Sequence, residues 1–402
     1  MRIFKTYLRA NALQYAIFLS VMILLLLLSF LLFVNTNGIL SLRTDNFIND
    51  ISFQKSQIYL PKNTSLKTET QKWGAFDIVR VKNAESEERL KNQFQTIYLS
   101  APIILSKHLY QLYVPSYNNK GSLQITGQAS IQGNLSVPNS DIRTTSAAGF
   151  IYTGTTDFKG TIKNSTAALP EVKKRFYEDY LELGNDSIIP FDKSKIGYQS
   201  FKNRGVTVVS DRAILLNKHD YKGFVKIISS QQITVDQNST LEDVELIAPV
   251  IKFQNGFTGK VHAVARDSIV VGEHVTLNFP SSLTITDSNF ENYPSIVIQK
   301  NASVSGLVRQ FKKVPETDSY PQLFISKDAI FKGSIYNVGN TELRGTVEGS
   351  LYTHSFIAYV DGRIYRNYIF DGKILKSEWF TAFEKSLTLP QEESNFPLKW
   401  LY

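Results

Sequence analysis

The chain has 402 residues, 43% of them hydrophobic and 20% charged, which is enough for two domains or one long repetitive one. It contains no cysteine, which excludes disulfide staples, thiolate metal sites and a cysteine nucleophile. The net charge of +8 is scattered, with only short doublets such as Lys173-Lys174 and Lys312-Lys313. A nucleic-acid reader concentrates its basic residues on one element, so nucleic acid is not an expected partner, whereas weak attraction to anionic lipid or polysaccharide is compatible with the charge.

Residues 1–10 form a basic leader with Arg2, Lys5 and Arg9, and no charge follows between Ala10 and Leu42. The apolar run Ala12 to Val34 spans 23 residues, which as a helix reach about 35 Å and cross a hydrocarbon core of about 30 Å. A cleaved secretory signal has a shorter apolar core, of about 7–15 residues, and a small-x-small site, for which Phe33-Val34-Asn35-Thr36-Asn37 is a poor match. The segment 11–35 is therefore expected to be an uncleaved transmembrane helix. The basic flank places the N-terminus in the cytoplasm and the bulk of the chain in the periplasm or outside the cell. Ala12, Ala16 and Ser20 are four residues apart and share one helix face, where small residues let another membrane helix approach.

Residues 36–115 read as a membrane-proximal mixed α/β segment. Leu42, Phe47, Ile48 and Ile51 are spaced to continue the helix for two or three turns, with Pro61 as a limit. Trp73 to Val81 reads as a strand, Ala84 to Gln93 as a short charged helix, and Ile97 to Val114 as strand again.

From about residue 116 to 375 one local pattern recurs: apolar-x-apolar, three turn residues, small or apolar, x, apolar. Copies begin at Leu123, Ile233, Ile269, Ile296 and Leu323; Ala129, Ala302 and Ala329 share one position, and Gly133, Gly306 and Gly333 another. The last four starts are 36, 27 and 27 residues apart. No copy buries its apolar side chains alone, but stacked copies bury each other's. This predicts a mainly β chain, a parallel β-helix with variable loops. An antiparallel sandwich competes through Asn255-Gly256, Asp361-Gly362 and Asp371-Gly372, which suit tight hairpins. Pro170, Val172, Phe176, Tyr180, Leu183 and Gly184 outline a helical insertion over about 170–184. The tail 376–402 loses the pattern and ends in Pro397-Leu398-Lys399-Trp400-Leu401-Tyr402, an apolar terminus expected to dock back onto the fold.

Chemistry-bearing motifs are sparse. His108, His219, His262, His274 and His354 include no pair three to five residues apart, and each reads as a surface or loop residue. No serine-nucleophile elbow or phosphate-binding glycine loop occurs. Glu242, Asp243 and Glu245 are the densest carboxylates in the solenoid, and they read as solvated corner residues rather than a glycosidase pair. Phe331, Tyr336, Tyr352, Phe356 and Tyr359 fall at rung positions, which suggests an interior aromatic ladder. No catalytic residue, metal site or cofactor is expected.

The stretch Arg9-Ala10-Asn11-Ala12-Leu13-Gln14-Tyr15 leading into the apolar helix resembles the start of pilin and minor pseudopilin proteins. The resemblance implies a helix that both spans the membrane and packs against other subunits, and a processing site at Ala10-Asn11. Ala10 stands where that family carries Gly, and Tyr15 where major pilins carry Glu, which puts cleavage in question. Trp73-Gly74-Ala75-Phe76, the stretch from Leu123 through Gly133 to Pro138, and Lys399-Trp400-Leu401-Tyr402 resemble a Bacteroidetes family of envelope proteins that carries no assigned activity. The expectation is a non-enzymatic, inner-membrane structural subunit of an envelope assembly, pilin-like or secretion-linked, whose partners are other membrane-helix subunits. A tethered β-helix that binds or processes polysaccharide is the second reading, and a scaffold polymerising through its solenoid ends, as bactofilins do, the third.

Overall fold

A computed structural model of the chain describes residues 3–58, 66–83, 95–100, 110–116, 121–154, 158–172, 176–182, 184–193, 197–286, 295–313, 320–377 and 397–401. The expected helix over Ala84 to Gln93 lies outside the described residues. The chain divides into two compact units, residues 1–66 with 83–96, and residues 67–82 with 97–402.

In the first unit, one helix (α1) runs over Ile3–Ile58 without interruption. Its portion Leu13–Ser41 is long and apolar enough to cross a membrane. The side-chain hydroxyls of Ser20, Thr36 and Thr44 donate to Ile17 O, Leu32 O and Leu40 O, each at 2.8 Å, so the helix satisfies them itself. Beyond residue 35 it continues for about six turns, more than the two or three expected. The residues after the span keep apolar side chains at helical spacing and offer no Pro before Pro61.

The second unit is a parallel β-helix. The inward-facing column of one side runs in register through Ile189, Val208, Ile227, Leu246, Ala263 and Leu283 to Val308, Ile335 and Leu351. A second column stacks Ile214, Ile233, Ile251, Ile269, Ile296 and Leu323. Nearly all these side chains are fully buried, and each Val, Leu or Ile contributes about 1.5–3 kcal/mol relative to exposure. The motif copies at Ile233, Ile269, Ile296 and Leu323 therefore lie in one stacked column. The 36-residue spacing conceals a rung at Ile251-Lys252-Phe253, so the underlying coil is 18 residues long. The two 27-residue spacings are coils of the same kind with longer loops. Ala129, Ala302 and Ala329 all point inward and are buried. Gly306, Gly333 and Gly349 stack at one corner with φ near +140°, and a Cβ on any of them would strike the carbonyl of the residue stacked beneath it.

The coils are not stacked in chain order. They ascend from Ser187 to Leu375, but the next rungs come from earlier in the chain. Leu112 stacks on Leu351, Leu135 on Leu112, and Ile162 on Leu135. Ile131 likewise stacks on Ile374, and Ile125 on Ile369. The segment 110–165 thus completes the end reached by residue 375, and the chain must then return to the opposite end to begin again at Ser187. The described residues 166–172, 176–182 and 184–186 make that return as a strap along one outer face. Tyr113 donates to Ala168 O at 3.1 Å, Tyr336 to Pro170 O at 2.9 Å, and Tyr177 and Tyr180 pack on Ile247 and Val264. Among the described residues its helix is Glu178–Leu181, one turn of the expected 170–184.

Asp361-Gly362 makes an antiparallel hairpin between Thr346–Val360 and Arg363–Arg366, a local exception to the parallel order. A separate four-stranded sheet holds Leu66–Trp73, Phe76–Asn83, Gln95–Ser100 and the terminal Pro397–Leu401 in that order. The end of the chain docks as an antiparallel partner of Gln95–Ser100, with Trp400 opposite Tyr98.

Candidate functional site: a polar ladder beneath the Trp73 hairpin

Strands of a β-helix normally alternate buried and exposed. Over residues 244–249 every side chain is buried, so both faces of the sheet are covered here. The outward column of this side stacks Thr207, Lys226, Glu245, His262, Ser282 and Leu307 on successive coils. It is a polar ladder with an average exposure near zero at its centre: Glu245 0%, His262 1%, Ser282 0%.

The cover is the tip of a hairpin. Trp73 to Val81 is not a single strand; Gly74, at φ +56°, reverses the chain between Leu66–Trp73 and Phe76–Asn83. The Gly74 amide donates to Glu245 Oε1 at 2.7 Å, and the Ala75 amide to Ser282 Oγ at 3.1 Å. Trp73 Nε1 donates to Asp243 O at 3.2 Å, and the Tyr180 hydroxyl of the strap donates to Gly74 O at 2.6 Å. A Cβ on Gly74 would strike Ser282 Oγ and His262 Cβ, so only glycine brings the backbone this close. The Trp73 ring packs against Phe224 and Phe201, and Phe76 meets the edge of His262 with centroids 5.5 Å apart.

The charges are arranged to match. Lys226 Nζ lies 3.6 Å from Glu245 Oε2 and donates to Tyr180 O at 3.3 Å. Lys399 of the terminal strand binds Asp243 at 2.5 and 2.7 Å, and Lys260 binds Glu242 at 3.1 Å. Burial, and after it the Lys260 charge, holds Lys399 below the ordinary lysine range despite Asp243. His262 shares a 3.1 Å hydrogen bond between Nδ1 and Ser282 Oγ, and its Nε2 is buried with no hydrogen-bond partner. Burial, reinforced by Lys399 and Lys260, pushes His262 down to about 3, so the ring is neutral.

Two expectations are corrected here. Glu245 is not a solvated corner residue: Asp243, at φ +60°, makes the corner, and Glu245 stands on the following strand under the hairpin. Glu242 is exposed, as a corner residue should be. His262 is not a surface or loop residue but a rung residue facing the same cover. Neither position carries a local sequence signal, because a covered outward face looks like an exposed one in the alternation. The pairing of a polar rung position with the Trp73-Gly74-Ala75-Phe76 turn, which lies 171 residues away at the Gly74–Glu245 contact, is visible only in three dimensions.

A glutamate, a histidine and a serine on neighbouring coils share the composition of a hydrolytic triad, but their geometry differs. A triad needs the base bonded to the nucleophile through one ring nitrogen and to the orienting carboxylate through the other. Here Glu245 is turned to the Gly74 amide and Lys226, and Ser282 accepts from the Ala75 amide. The arrangement holds a backbone turn in place.

Beside the ladder lies a cleft of about 520 Å³, between the hairpin, the strap and the first coils. Glu69, Asp179, Glu182 and Asp186 line it together with Lys72, Arg80, Arg204 and Lys226. Lys72 pairs with Asp179 at 2.5 Å, and Arg80 donates to Gln71 Oε1 while lying 5.0 Å over the Phe224 ring. Acidic and basic residues are equal in number, so the cleft presents no single-signed charge to a ligand.

The expected aromatic ladder divides in two. Phe331 and Phe356 are interior, but Tyr336, Tyr352 and Tyr113 stack on the outer face beneath the strap, with Tyr113 and Tyr352 parallel at 5.6 Å. Tyr359 is 43% exposed. Burial raises Tyr336 to about 12. Of the residues singled out on the anchor, Ala10, Asn11, Ala12, Ala16 and Ser20 all lie within α1, and Ala16 and Ser20 are exposed in the single chain. The side chains of Ala10, Asn11 and Ala12, and all of His108, lie outside the described residues. Among the described residues no three His, Asp or Glu side chains converge as a metal site. No protein-family model, curated protein or solved structure matches the chain.

Proposed function

We propose that the protein is a non-enzymatic structural subunit of an envelope assembly, anchored in the inner membrane by α1, with its N-terminus in the cytoplasm and its β-helix on the other side. The observation that carries this reading is how the buried polar groups are used. Glu245, Ser282 and Lys226, the groups best suited to chemistry, are engaged in holding the Trp73 hairpin and the strap. That use supports a fold built for rigidity.

The partner contact is assigned to the membrane helix, in keeping with the pilin and pseudopilin resemblance of the residues around Ala10. Association in lipid relies on small residues and polar contacts, which Ala12, Ala16 and Ser20 supply on one face. Substituting both Ala16→Leu and Ser20→Leu should preserve insertion yet abolish cross-linking to the partner in membranes. Replacing residues 11–35 with an unrelated membrane helix should do the same. Normal assembly with the exchanged helix would reduce α1 to a tether and remove the subunit reading.

A further inference from the structure

The helix α1 does not stop where its apolar span ends at Ser41 but continues to Ile58, a further length of about 25 Å. The residues of that extension are poor helix formers: none is alanine, and Thr44, Ile48, Ile51 and Ile58 are β-branched. Propagation from the membrane helix removes the cost of nucleation, but not the low propensity of each added turn, so a packed face has to hold it.

The sequence supplies such a face. Asn37, Thr44, Ile51 and Ile58 are seven residues apart, and Leu40, Phe47 and Gln54 fall between them at alternating steps of three and four. These are the a and d positions of three successive heptads. The positions away from this seam are polar at Asp45, Asn46, Asn49, Ser52 and Ser56, with Phe53 the exception. Carried back into the membrane, the same frame reaches Ala16 and Ala12, so the seam continues the small-residue face. Asn37 and Leu40 are exposed in the single chain.

The charges flanking the seam select its occupant. Asp50 and Lys55 stand at g and e, five residues apart. Within one helix, opposite charges pair at three or four residues, and neither Asp50 nor Lys55 has an oppositely charged residue at that distance. Between two parallel copies in register, the g position of one lies beside the next e position of the other, so Asp50 meets Lys55 twice. Asn37 carries both a donor and an acceptor to an a position, where the same residue of a second copy satisfies it and fixes the register. Isoleucine at a, as at Ile51 and Ile58, suits two strands. Copies inserted in one orientation also bring like residues to the same depth.

We propose that residues 37–58 of α1 form a parallel, two-stranded coiled coil with the same segment of a second copy, so that the protein is a homodimer. This rests on the reading of α1 as the anchor of a structural subunit, and it names the partner of its outer half.

The absence of cysteine allows a clean test in the full-length protein, in membranes and in mild detergent. Under mild oxidation Ile51→Cys should give a disulfide-linked dimer, because equivalent seam positions fall within disulfide range, whereas Asn49→Cys on the far side should stay monomeric. In the Ile51→Cys background, Asp50→Lys or Lys55→Asp alone should cut linkage about threefold to tenfold, since two attractive pairs become repulsive. Mixed together under different tags, these two variants should link to each other as well as the parent does, because each restores both pairs. Monomer only at Ile51→Cys, equal linkage at Asn49→Cys, or a mixture that pairs no better than either variant alone would overturn the proposal. Loss of the Ile51 linkage with an intact Ala16/Ser20-dependent contact removes the coiled coil and leaves the subunit reading. Linkage that survives exchange of residues 11–35 for an unrelated helix of equal length keeps the coiled coil and leaves the membrane segment a tether.

Discussion

The Gly74 amide and Glu245 Oε1 meet at 2.7 Å, and through this contact the first segment after the anchor is fixed to the middle of the solenoid. The residue at 74 has to be glycine for two separate reasons, its positive φ and the Ser282 and His262 atoms that a Cβ would strike. Gly74→Val should release the tip and lower stability by about 2 kcal/mol or more. Limited proteolysis should then cut within residues 66–83, which are protected in the parent. Glu245→Ala should cost about 3–5 kcal/mol, since it leaves Lys226 and the Gly74 amide buried without their acceptor. A Glu245→Ala variant with the parent's urea midpoint would show that the hairpin does not depend on the ladder.

The rung register has a sharper test. Ala329 is fully buried at an inward position, and Lys327 is exposed at the neighbouring corner. Ala329→Asp buries an unpartnered carboxylate and should cost several kcal/mol, whereas Lys327→Asp should change stability by less than about 0.5 kcal/mol. Equal melting temperatures for the two variants would contradict the register.

The sequence shows the solenoid because inward positions are apolar at a fixed local spacing, which stacking requires whatever the loop lengths. Ile233, Ile269, Ile296 and Leu323 stack as their shared motif suggests. The segment at Ile251 reads only as a gap-filling short strand, Val250 to Phe253, and its place as a rung between Ile233 and Ile269 shows in the pairing alone. The order of the coils was not legible at all. Leu112 follows Leu351 in space, and only long-range pairing records that. The candidate site was hidden for a related reason: Glu245 and His262 occupy outward positions, which are wet unless another segment covers them. Sequence periodicity reports the face a residue points to, not what lies over it.

The proposed orientation of the anchor rests on Arg2, Lys5 and Arg9 before the span, against the balancing Arg43 and Asp45 after it. Protease added to spheroplasts should degrade the chain beyond about residue 40 and leave a small membrane fragment. Complete protection of the β-helix in intact spheroplasts, with digestion after lysis, would reverse the topology.

His262 should make stability depend on pH in one direction. Its folded pKa, at about 3, lies below the unfolded value of about 6.5. Between those values the unfolded chain binds a proton that the folded chain refuses, so stability rises with pH across this window and falls on acidification. The loss is about 1.4 kcal/mol per pH unit at most, or roughly 2–3 kcal/mol between pH 6.5 and 4.5. Other carboxylates titrate there too, so the comparison must be between the parent and His262→Gln, whose neutral side chain carries no such dependence. The parent's unfolding free energy should fall more steeply than the variant's from pH 7 to 4.5, with the difference set by one proton. The ring should also stay neutral by NMR at pH 5, below the ordinary histidine value. A protonated His262 at pH 5 in the folded protein, or parallel pH profiles for the two proteins, would mean that the hairpin admits water to the ladder.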